Sequence, residues 1–361
     1  MAIRNSSIMI VHHGFETISG GEKILLTLID ELIKKGFRVS TVTAWDYKIK
    51  DRYISLKVKK YYGLRKRVPR MTLFQRTILF NRALSKALKK EKPKVVWTDC
   101  EWAKELEKYQ DGCVIAYYHM PPDIRIKNGT LFKFRKWLVE KYLTQLHEIA
   151  DISLCNSMFT QERLKKIGIN ARILYPPVKP IKTLKKVKQA ITIGRLIPAK
   201  RHEIAILIAK KANLPIKVLG WRYWGDLNYF NYLQSLCNEQ ENAFLISDAD
   251  DKVLNEEIGK SLIYLHCNPN EDFGISVVEA MSAKCIPIVY ANGGPWTDII
   301  QEGKYGFGFK EPDEAVEKIK EILKLDNETL SELRSKVKLR AYNFHESIFR
   351  RNVTQLIERL L

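Results

Sequence analysis

The chain has 361 residues, 45% of them hydrophobic, and a formal net charge of +20. This length exceeds that of a typical single core and predicts a globular protein of two domains. None of its six cysteines lies in a CxxC motif, which predicts buried thiols in a reducing compartment. No apolar run approaches 18 residues and the first 14 lack a signal-peptide apolar region, so we expect a cytoplasmic protein.

Apolar runs typical of strands alternate with amphipathic helical patterns along the first half of the chain. Such alternation predicts a parallel, doubly wound α/β sheet. The predicted strands are 7–12, 38–43, 95–98, 114–118 and 152–156, and the predicted helices are 22–35, 73–90 and 131–149.

A proline-rich segment at 175–180, followed by basic residues at 182–188, interrupts this pattern and predicts a linker. A second α/β domain of similar build follows it. Ligands of open α/β sheets lie at the carboxyl ends of strands, so we expect functional loops there, in a cleft between the domains. The predicted strands are 189–193, 216–219, 243–246, 262–267 and 286–290, and the predicted helices are 202–211, 251–259, 313–324, 327–342 and 344–361.

Much of the excess positive charge lies in residues 50–94, which begin at Lys50 and end at Lys94. This basic region contains 16 Lys and Arg against two acids, interleaved with aromatic and aliphatic residues. The mixture favours an anionic membrane surface, because apolar side chains enter the headgroup layer while the cations meet lipid phosphates. A surface rich in charge, as in thermophiles, and a nucleic-acid partner are the alternatives.

Two acids, Glu271 and Glu279, stand eight positions apart where a predicted strand leads through a loop into a helix. Eight helical residues separate two carboxylates by about 12 Å along the axis, so the pair cannot share a proton. Gly274 opens the helix, where free backbone N–H groups suit an anion. We interpret the acids as hydrogen-bond acceptors that span a polyhydroxyl ligand; the alternative is one acid favoured by the helix dipole and one solvated glutamate.

Other strand ends carry candidate ligand groups. Gly20 and Gly21 precede a helix and would let the backbone approach a phosphate or a sugar, although a plain turn fits them too. His119 is a candidate hydrogen-bond donor, or a structural histidine. Arg195 and Lys200 follow the first strand of the second domain and suit a diphosphate, or form a solvated basic loop. Neither a Walker lysine motif nor a GxGxxG motif is present, which argues against ATP and NAD sites.

A D-x-D motif, Asp248 and Asp250, is the rival candidate for a divalent-cation site. It lies between a predicted strand and a predicted helix, so we favour helix capping by Asp248 or Asp250. We therefore predict no metal and no cofactor other than the donor substrate.

The segment from Glu271 to Glu279 resembles the E-x7-E signature of the retaining glycosyltransferases of family 4, which have the two-domain GT-B fold. The resemblance extends over nearly the whole chain. The loop at His119 is similar to that of the mannosyltransferases that extend lipid-linked oligosaccharides. Further matching positions are Gly20, Gly21, Asn156, Ser157, Thr160, Gly194, Arg195, Lys200, Gly293, Gly294, Gly303 and Gly306.

The resemblance implies two Rossmann-like, doubly wound domains facing across a cleft. Residues 1–178 would form the N-terminal domain on the acceptor and membrane side. Residues 179–342 would bind the nucleotide-sugar donor, and residues 343–361 would form a helix that crosses back to the first domain. Closure about the resulting two-stranded hinge would exclude water from the donor.

The resemblance also implies the role of each candidate. Arg195 and Lys200, beside Gly194, would hold the donor diphosphate without a metal. Glu271 would accept hydrogen bonds from the sugar hydroxyls and Glu279 would hold the ribose. The remaining implied contacts are His119 with the transferred sugar or its phosphate, Gly20 and Gly21 with the donor, and the N–H groups of Phe273, Gly274 and Ile275 near the sugar.

The leading prediction is a retaining hexosyltransferase with a front-face mechanism and no covalent intermediate. Its donor would be GDP-mannose or, second, UDP-glucose, and its acceptor a lipid-linked or membrane-proximal glycan. The enzyme would associate peripherally with the inner face of the membrane, and no specific nucleic acid is expected. The alternative is a nucleic-acid-binding or scaffold protein with a catalytically silent GT-B fold.

Overall fold

The first strands of the chain pair in parallel, as alternation with helices predicts. In the computed structural model, the structure describes residues 6–14, 20–45, 58–64, 73–100, 103–119, 130–222 and 227–361. Part of the basic region (50–57 and 65–72) and residues 120–122 of the histidine loop lie outside the described residues. The chain divides into two units, Met1–Pro177 with Glu346–Leu361, and Val178–His345.

The described strands of the first unit form a seven-stranded parallel sheet, ordered β3-β2-β1-β4-β5-β6-β7. The predicted first-half strands and helices are all present. The strands β3 and β7, the latter of two residues, and the helix α4 are additional. The strands are β1 Ser7–Val11, β2 Arg38–Trp45, β3 Lys59–Leu64, β4 Val95–Thr98, β5 Cys113–Tyr118, β6 Ile152–Cys155 and β7 Arg172–Ile173. The helices are α1 Gly20–Lys34, α2 Leu73–Glu91, α3 Thr130–Ile149 and α4 Met158–Lys165.

The second unit repeats this plan, and its described strands form a six-stranded parallel sheet ordered β10-β9-β8-β11-β12-β13. The strands are β8 Val187–Leu196, β9 Ile216–Arg222, β10 Ala243–Ser247, β11 Ser261–His266, β12 Ile286–Tyr290 and β13 Phe307–Phe309. The helices are α5 His202–Lys211, α6 Leu227–Asn238, α7 Asp251–Lys260, α8 Ile275–Ser282, α9 Pro312–Lys324 and α10 Asn327–Ala341.

The last helix, α11 (Glu346–Glu358), packs into the core of the first unit. Phe349, Val353 and Ile357 are at most 2% exposed and lie at helical spacing, so one face of α11 is apolar. On the same helix, Arg350 forms ion pairs with Asp30 and Glu31 of α1. The predicted helix at 344–361 is confirmed.

The strands have the residue pattern of sheets that are covered on both faces. All five residues of β1 are buried, and its Ile8 and Met9 belong to two separate core clusters because successive side chains point to opposite faces. Five of the six cysteines are buried and the sixth, Cys113, is half-buried; all six are free thiols, as predicted.

Candidate active site

The end of β8 and the turn that follows it contain the two predicted cations of the second unit. Arg195 lies at the end of the strand and is exposed, while Lys200 closes a 3₁₀ turn at Pro198–Lys200 and is only 20% exposed. The Lys200 stem lies over Gly194, where an added Cβ would be 3.4 Å from Cγ of Lys200, at the limit of ordinary van der Waals contact. The lysine stem therefore lies close to the strand end.

A buried histidine holds the main chain at the end of β8 in place. His202, 1% exposed, begins α5, and burial lowers its pKa to about 4. The neutral ring donates from Nε2 to the carbonyl of Arg195 at 3.2 Å, which leaves Nδ1 to accept from the hydroxyl of Thr192 at 3.3 Å. This bond fixes the main chain at the position from which the Arg195 side chain extends.

Glu271 lies in the loop before α8 and pairs directly with Lys200. The Asn268 amide donates to Oε2 of Glu271 at 2.8 Å, and Nε2 of His266 lies 3.4 Å from the same oxygen. Burial raises the pKa of this carboxyl, but the Lys200 charge and the His266 hydrogen bond outweigh it and hold the pKa well below 4.5. Glu271 is therefore an ionised acceptor at neutral pH.

Two glycines at the end of β12 hold the Glu271 loop in place. Gly294 donates its N–H to the carbonyl of Glu271 at 2.8 Å. A Cβ on Gly293 would lie 2.9 Å from that carbonyl oxygen, and one on Gly294 only 2.3 Å from the carbonyl of Asp272. The close approach of two backbones therefore requires glycine at both positions.

The first turn of α8 contains the remaining predicted donor contacts. Gly274 is the N-cap of α8 with φ +98°, a conformation that favours glycine, and among the described residues no side chain caps this helix. Phe273 is 3% exposed and packs edge-on against Phe344, so only its main chain suits a ligand. Ile275 and Glu279 are half-buried on the helix itself. Glu271 in the loop and Glu279 in the helix thus have the predicted local placement.

In the first unit, the predicted residue His119 belongs to a buried cluster at the ends of β1, β4 and β5. Nε2 of His119 lies 2.8 Å from Oδ2 of Asp99, and Nδ1 of His12 lies 2.8 Å from Oδ1 of the same carboxylate. Gly21, in the first turn of α1, adjoins the ring: a Cβ there would lie 3.6 Å from Nε2 of His119. Gly20 begins α1 and is exposed.

The Asn156, Ser157 and Thr160 positions have a structural role that supports the same histidine. The Asn156 amide donates to the carbonyl of His119 at 2.7 Å. Ser157 caps α4 by accepting the N–H of Thr160 at 2.9 Å. These residues fix the main chain of His119 at the carboxyl end of β5.

The structure groups the predicted residues within each unit and adds partners that the sequence did not reveal. Lys200 and Glu271, 71 positions apart, form one ion pair. The unpredicted partners are His266 and Asn268 for Glu271, and Asp99 and His12 for His119. Each lies at or just after the end of a predicted strand, so this position was the signal that could have identified them. The sequence did not reveal the order of the strands in the sheet, which is needed to predict the pairs.

The D-x-D motif is structural at both positions. Asp250 is the N-cap of α7 and accepts the N–H of Val253 at 2.8 Å, which confirms the capping prediction. Asp248 accepts the N–H of Arg222 at 3.0 Å and also pairs with its guanidinium.

Two parallel α/β units with strand-end loops of this composition define the GT-B fold. A family model for Glycosyltransferase Family 4 matches residues 18–180, and one for Glycosyl transferases group 1 matches residues 178–344. Together the two models span residues 18–344, and the chain belongs to this family of glycosyltransferases.

Similar curated proteins are named GDP-Man:Man(3)GlcNAc(2)-PP-Dol alpha-1,2-mannosyltransferase. The Caenorhabditis elegans protein is 24% identical over 287 residues, which cover 71% of this chain and 59% of the relative. The Mus musculus protein is 30% identical over 242 residues, 59% of this chain and 49% of the relative. The chain thus spans about half the length of the curated relatives that it matches.

Solved structures share the fold over nearly the full chain. Sucrose-phosphate synthase from Thermosynechococcus elongatus superposes with a TM-score of 0.78 at 16% identity, covering 99% of both chains. Anabaena Alr3699/HepE in complex with UDP and glucose superposes with a TM-score of 0.73 at 12% identity, covering 98% of this chain and 100% of the other. Among the described residues, no helix has the length and apolar character needed to cross a membrane.

Proposed function

We propose that the protein transfers a hexose from a nucleoside-diphosphate sugar to a lipid-linked or membrane-proximal glycan. GDP-mannose is the favoured donor and UDP-glucose the second. The names of the curated relatives support mannose, GDP and a lipid-linked acceptor. The presence of UDP and glucose in the HepE structure, a neighbour by fold alone, keeps the second donor in the comparison.

The observation that carries the proposal is the ion pair between Lys200 and Glu271, beside the first turn of α8. It places a cation, an ionised acceptor and helix N–H groups at the carboxyl edge of one sheet, where anionic ligands bind. When the donor binds, its diphosphate pairs with Lys200 and Arg195, and the sugar hydroxyls donate hydrogen bonds to Glu271. Glu279, about one turn into α8, holds the ribose.

The proposed chemistry is a front-face transfer with retention of configuration. The cations of the β8 loop stabilise the charge that develops on the diphosphate as the glycosidic bond breaks. A donor phosphate oxygen accepts the proton of the acceptor hydroxyl, so no enzyme–sugar ester forms. Trapping a glycosyl-enzyme by mass spectrometry would contradict this mechanism.

We propose that transfer needs no metal ion, because cationic side chains supply the charge that a metal supplies in other transferases. Activity should persist in EDTA. Complete loss that a divalent cation restores would contradict this step.

The donor assignment is tested by a transfer assay with GDP-mannose and UDP-glucose on a lipid-linked glycan acceptor. Glu271→Ala should abolish transfer more than nucleotide binding, since it removes a sugar contact; equal loss of both would contradict that role. Lys200→Met should weaken binding of the nucleoside diphosphate. The matched control is Lys260→Met, which removes an exposed lysine of an ion pair on α7 and should change neither property.

We further propose that the basic region binds an anionic membrane surface. Its described part supports this, because α2 buries Phe80 and presents an exposed row at four-residue spacing, namely Ile78, Arg82, Lys86 and Lys90. This row places one apolar and three basic side chains on a single face of the helix. The enzyme would then lie peripherally on the cytoplasmic face.

Liposome flotation with and without anionic lipid tests the membrane proposal. Arg82→Glu with Lys86→Glu should release the protein from anionic vesicles. The control, Lys320→Glu with Lys324→Glu, reverses two exposed charges at the same spacing on α9 and should not. Binding that is independent of lipid charge would refute the proposal.

A further inference from the structure

One buried carboxylate in the first unit is shared by two histidines. Asp99 follows β4, which lies between β1 and β5 in the sheet, and its side chain is 2% exposed. Nδ1 of His12 contacts both of its oxygens, at 2.8 and 2.9 Å, while Nε2 of His119 contacts Oδ2 at 2.8 Å. His12 follows β1 and His119 follows β5, so the carboxylate links the ends of the two strands on either side of its own.

This geometry determines which ring nitrogens carry protons. Burial raises the pKa of Asp99, but His12 and His119 outweigh it and lower the pKa, so the group is an ionised acceptor. Both ring nitrogens that face it must then be N–H donors. His12 is held as the Nδ1–H form and His119 as the Nε2–H form, which leaves Nδ1 of His119 as the nitrogen available to a ligand.

Charged groups around His12 affect the pKa of its ring. Burial lowers the pKa of His12, but Asp99 and then Glu22 of α1 outweigh it, and the pKa is raised. The ring of His13 lies against that of His12, with centroids 4.3 Å apart and the ring planes tilted by 54°. Protonation of the His12 ring is therefore favoured by the ionised carboxylates around it.

The ring of His119 is also fixed sterically. Tyr117 contacts it edge-on, with centroids 4.9 Å apart, and a Cβ added at Gly21 would reach van der Waals contact with Nε2. The Asn156 amide holds its main-chain carbonyl. The side chain nevertheless stays 24% exposed, so a ligand can reach it.

We propose that Asp99 is a positioning residue of the transfer site, which locks His119 as the Nε2–H tautomer so that Nδ1 accepts a hydrogen bond from a sugar hydroxyl rather than donating one to a phosphate. This proposal rests on the proposed function, because it assigns His119 to the hydroxyl side of the substrate. His12 contacts both oxygens of the same carboxylate and so holds it in place for His119.

The first test reads the tautomers directly. In protein labelled with 15N-histidine, long-range 1H–15N correlation spectra distinguish the two neutral forms of each of the seven histidines. The His119→Gln variant assigns the signal. We expect His119 to be protonated at Nε2 and unprotonated at Nδ1 at pH 8; a proton on Nδ1 in its place would overturn the proposal.

The second test replaces the carboxylate by an amide. An asparagine at position 99 offers one acceptor and one donor, so one of the two histidines must change tautomer. Asp99→Asn should lower kcat by at least about 10²-fold, because a catalytic histidine held in the wrong tautomer loses activity. The KM for the donor should change little. Asp99→Glu should recover part of the loss.

Asp151→Asn is the matched control, since Asp151 accepts the N–H of Val114 at 2.7 Å at the other end of β5. It should keep kcat and both tautomers. Unchanged tautomers and kcat in Asp99→Asn would refute the positioning role, and if that variant does not fold, the wild-type spectrum decides. Absence of transfer by the wild-type protein would refute the proposed function instead, whatever the spectrum shows.

Discussion

The pair of Lys200 and Glu271 predicts a measurable energetic coupling in the second unit. Each side chain is about one-fifth exposed, at 20% and 21%, so water screens the pair only partly. Hydrogen bonds to charged groups contribute about 1.5–3 kcal/mol, and residual exposure favours the lower half of that range. We expect Glu271→Gln or Lys200→Met to lower the free energy of unfolding by about 2 kcal/mol.

Glutamine keeps the size of the side chain and can still accept from Asn268, so Glu271→Gln isolates the charge. The double variant should lose little more than either single one, giving a coupling energy of about 1.5–2 kcal/mol. A unit of this size should melt roughly 4–8 °C lower for a loss of 2 kcal/mol.

The same pair predicts the pH dependence of stability. The pKa of Glu271 is lowered in the folded protein, so its contribution is fully present above the unfolded-state pKa and is lost as pH falls through the folded-state pKa. Wild type and Glu271→Gln should therefore differ most near neutral pH. The difference should shrink below about pH 4, where the carboxyl of the unfolded chain becomes protonated.

Urea unfolding of the four proteins of the double-mutant cycle, followed at pH 7 and pH 4, measures both effects. The control cycle uses the exposed pair of Glu256 and Lys260 on α7, which water screens and which should show little coupling. Additive losses for Lys200 and Glu271, or a difference that grows as pH falls, would refute the electrostatic account.

Three further predictions concern single positions. Gly21→Ala should retain transfer, because its Cβ would only touch the His119 ring, whereas Gly21→Leu should displace the ring and lower kcat/KM at least about tenfold in the transfer assay. Phe349→Ala should destabilise the first unit by about 3–5 kcal/mol in urea unfolding, since it empties a 2% exposed site in the core; unchanged stability would mean that α11 does not hold that core. Asp250→Ala should cost about 1 kcal/mol through loss of the α7 cap without changing the metal requirement of transfer, which is measured in EDTA.

The fold was largely predictable because both sheets are parallel and covered on both faces. Their strands read as short apolar runs, and the helices between them show a 3.6-residue apolar period. The strand β3 was missed because Lys59–Leu64 begins with two lysines and is at best half-buried at a sheet edge. The strand β13 is only three residues long, which is too short for a recognisable pattern. The helix α6 does show helical spacing, with Tyr229, Leu233 and Cys237 buried, and was overlooked.

The sequence alone was enough for the class of the fold and for the local placement of Glu271 in a loop and Glu279 in a helix, because both follow from short-range periodicity. The resemblance to a glycosyltransferase family came from the motif positions, above all the segment from Glu271 to Glu279. Only the tertiary structure decided which strand ends are neighbours. It therefore decided that Lys200 meets Glu271 across 71 positions and that Asp99 meets His12 across 87. The physical reason is that parallel strands pair through long crossovers, so the order of strands in the sheet, rather than separation along the chain, brings these side chains together.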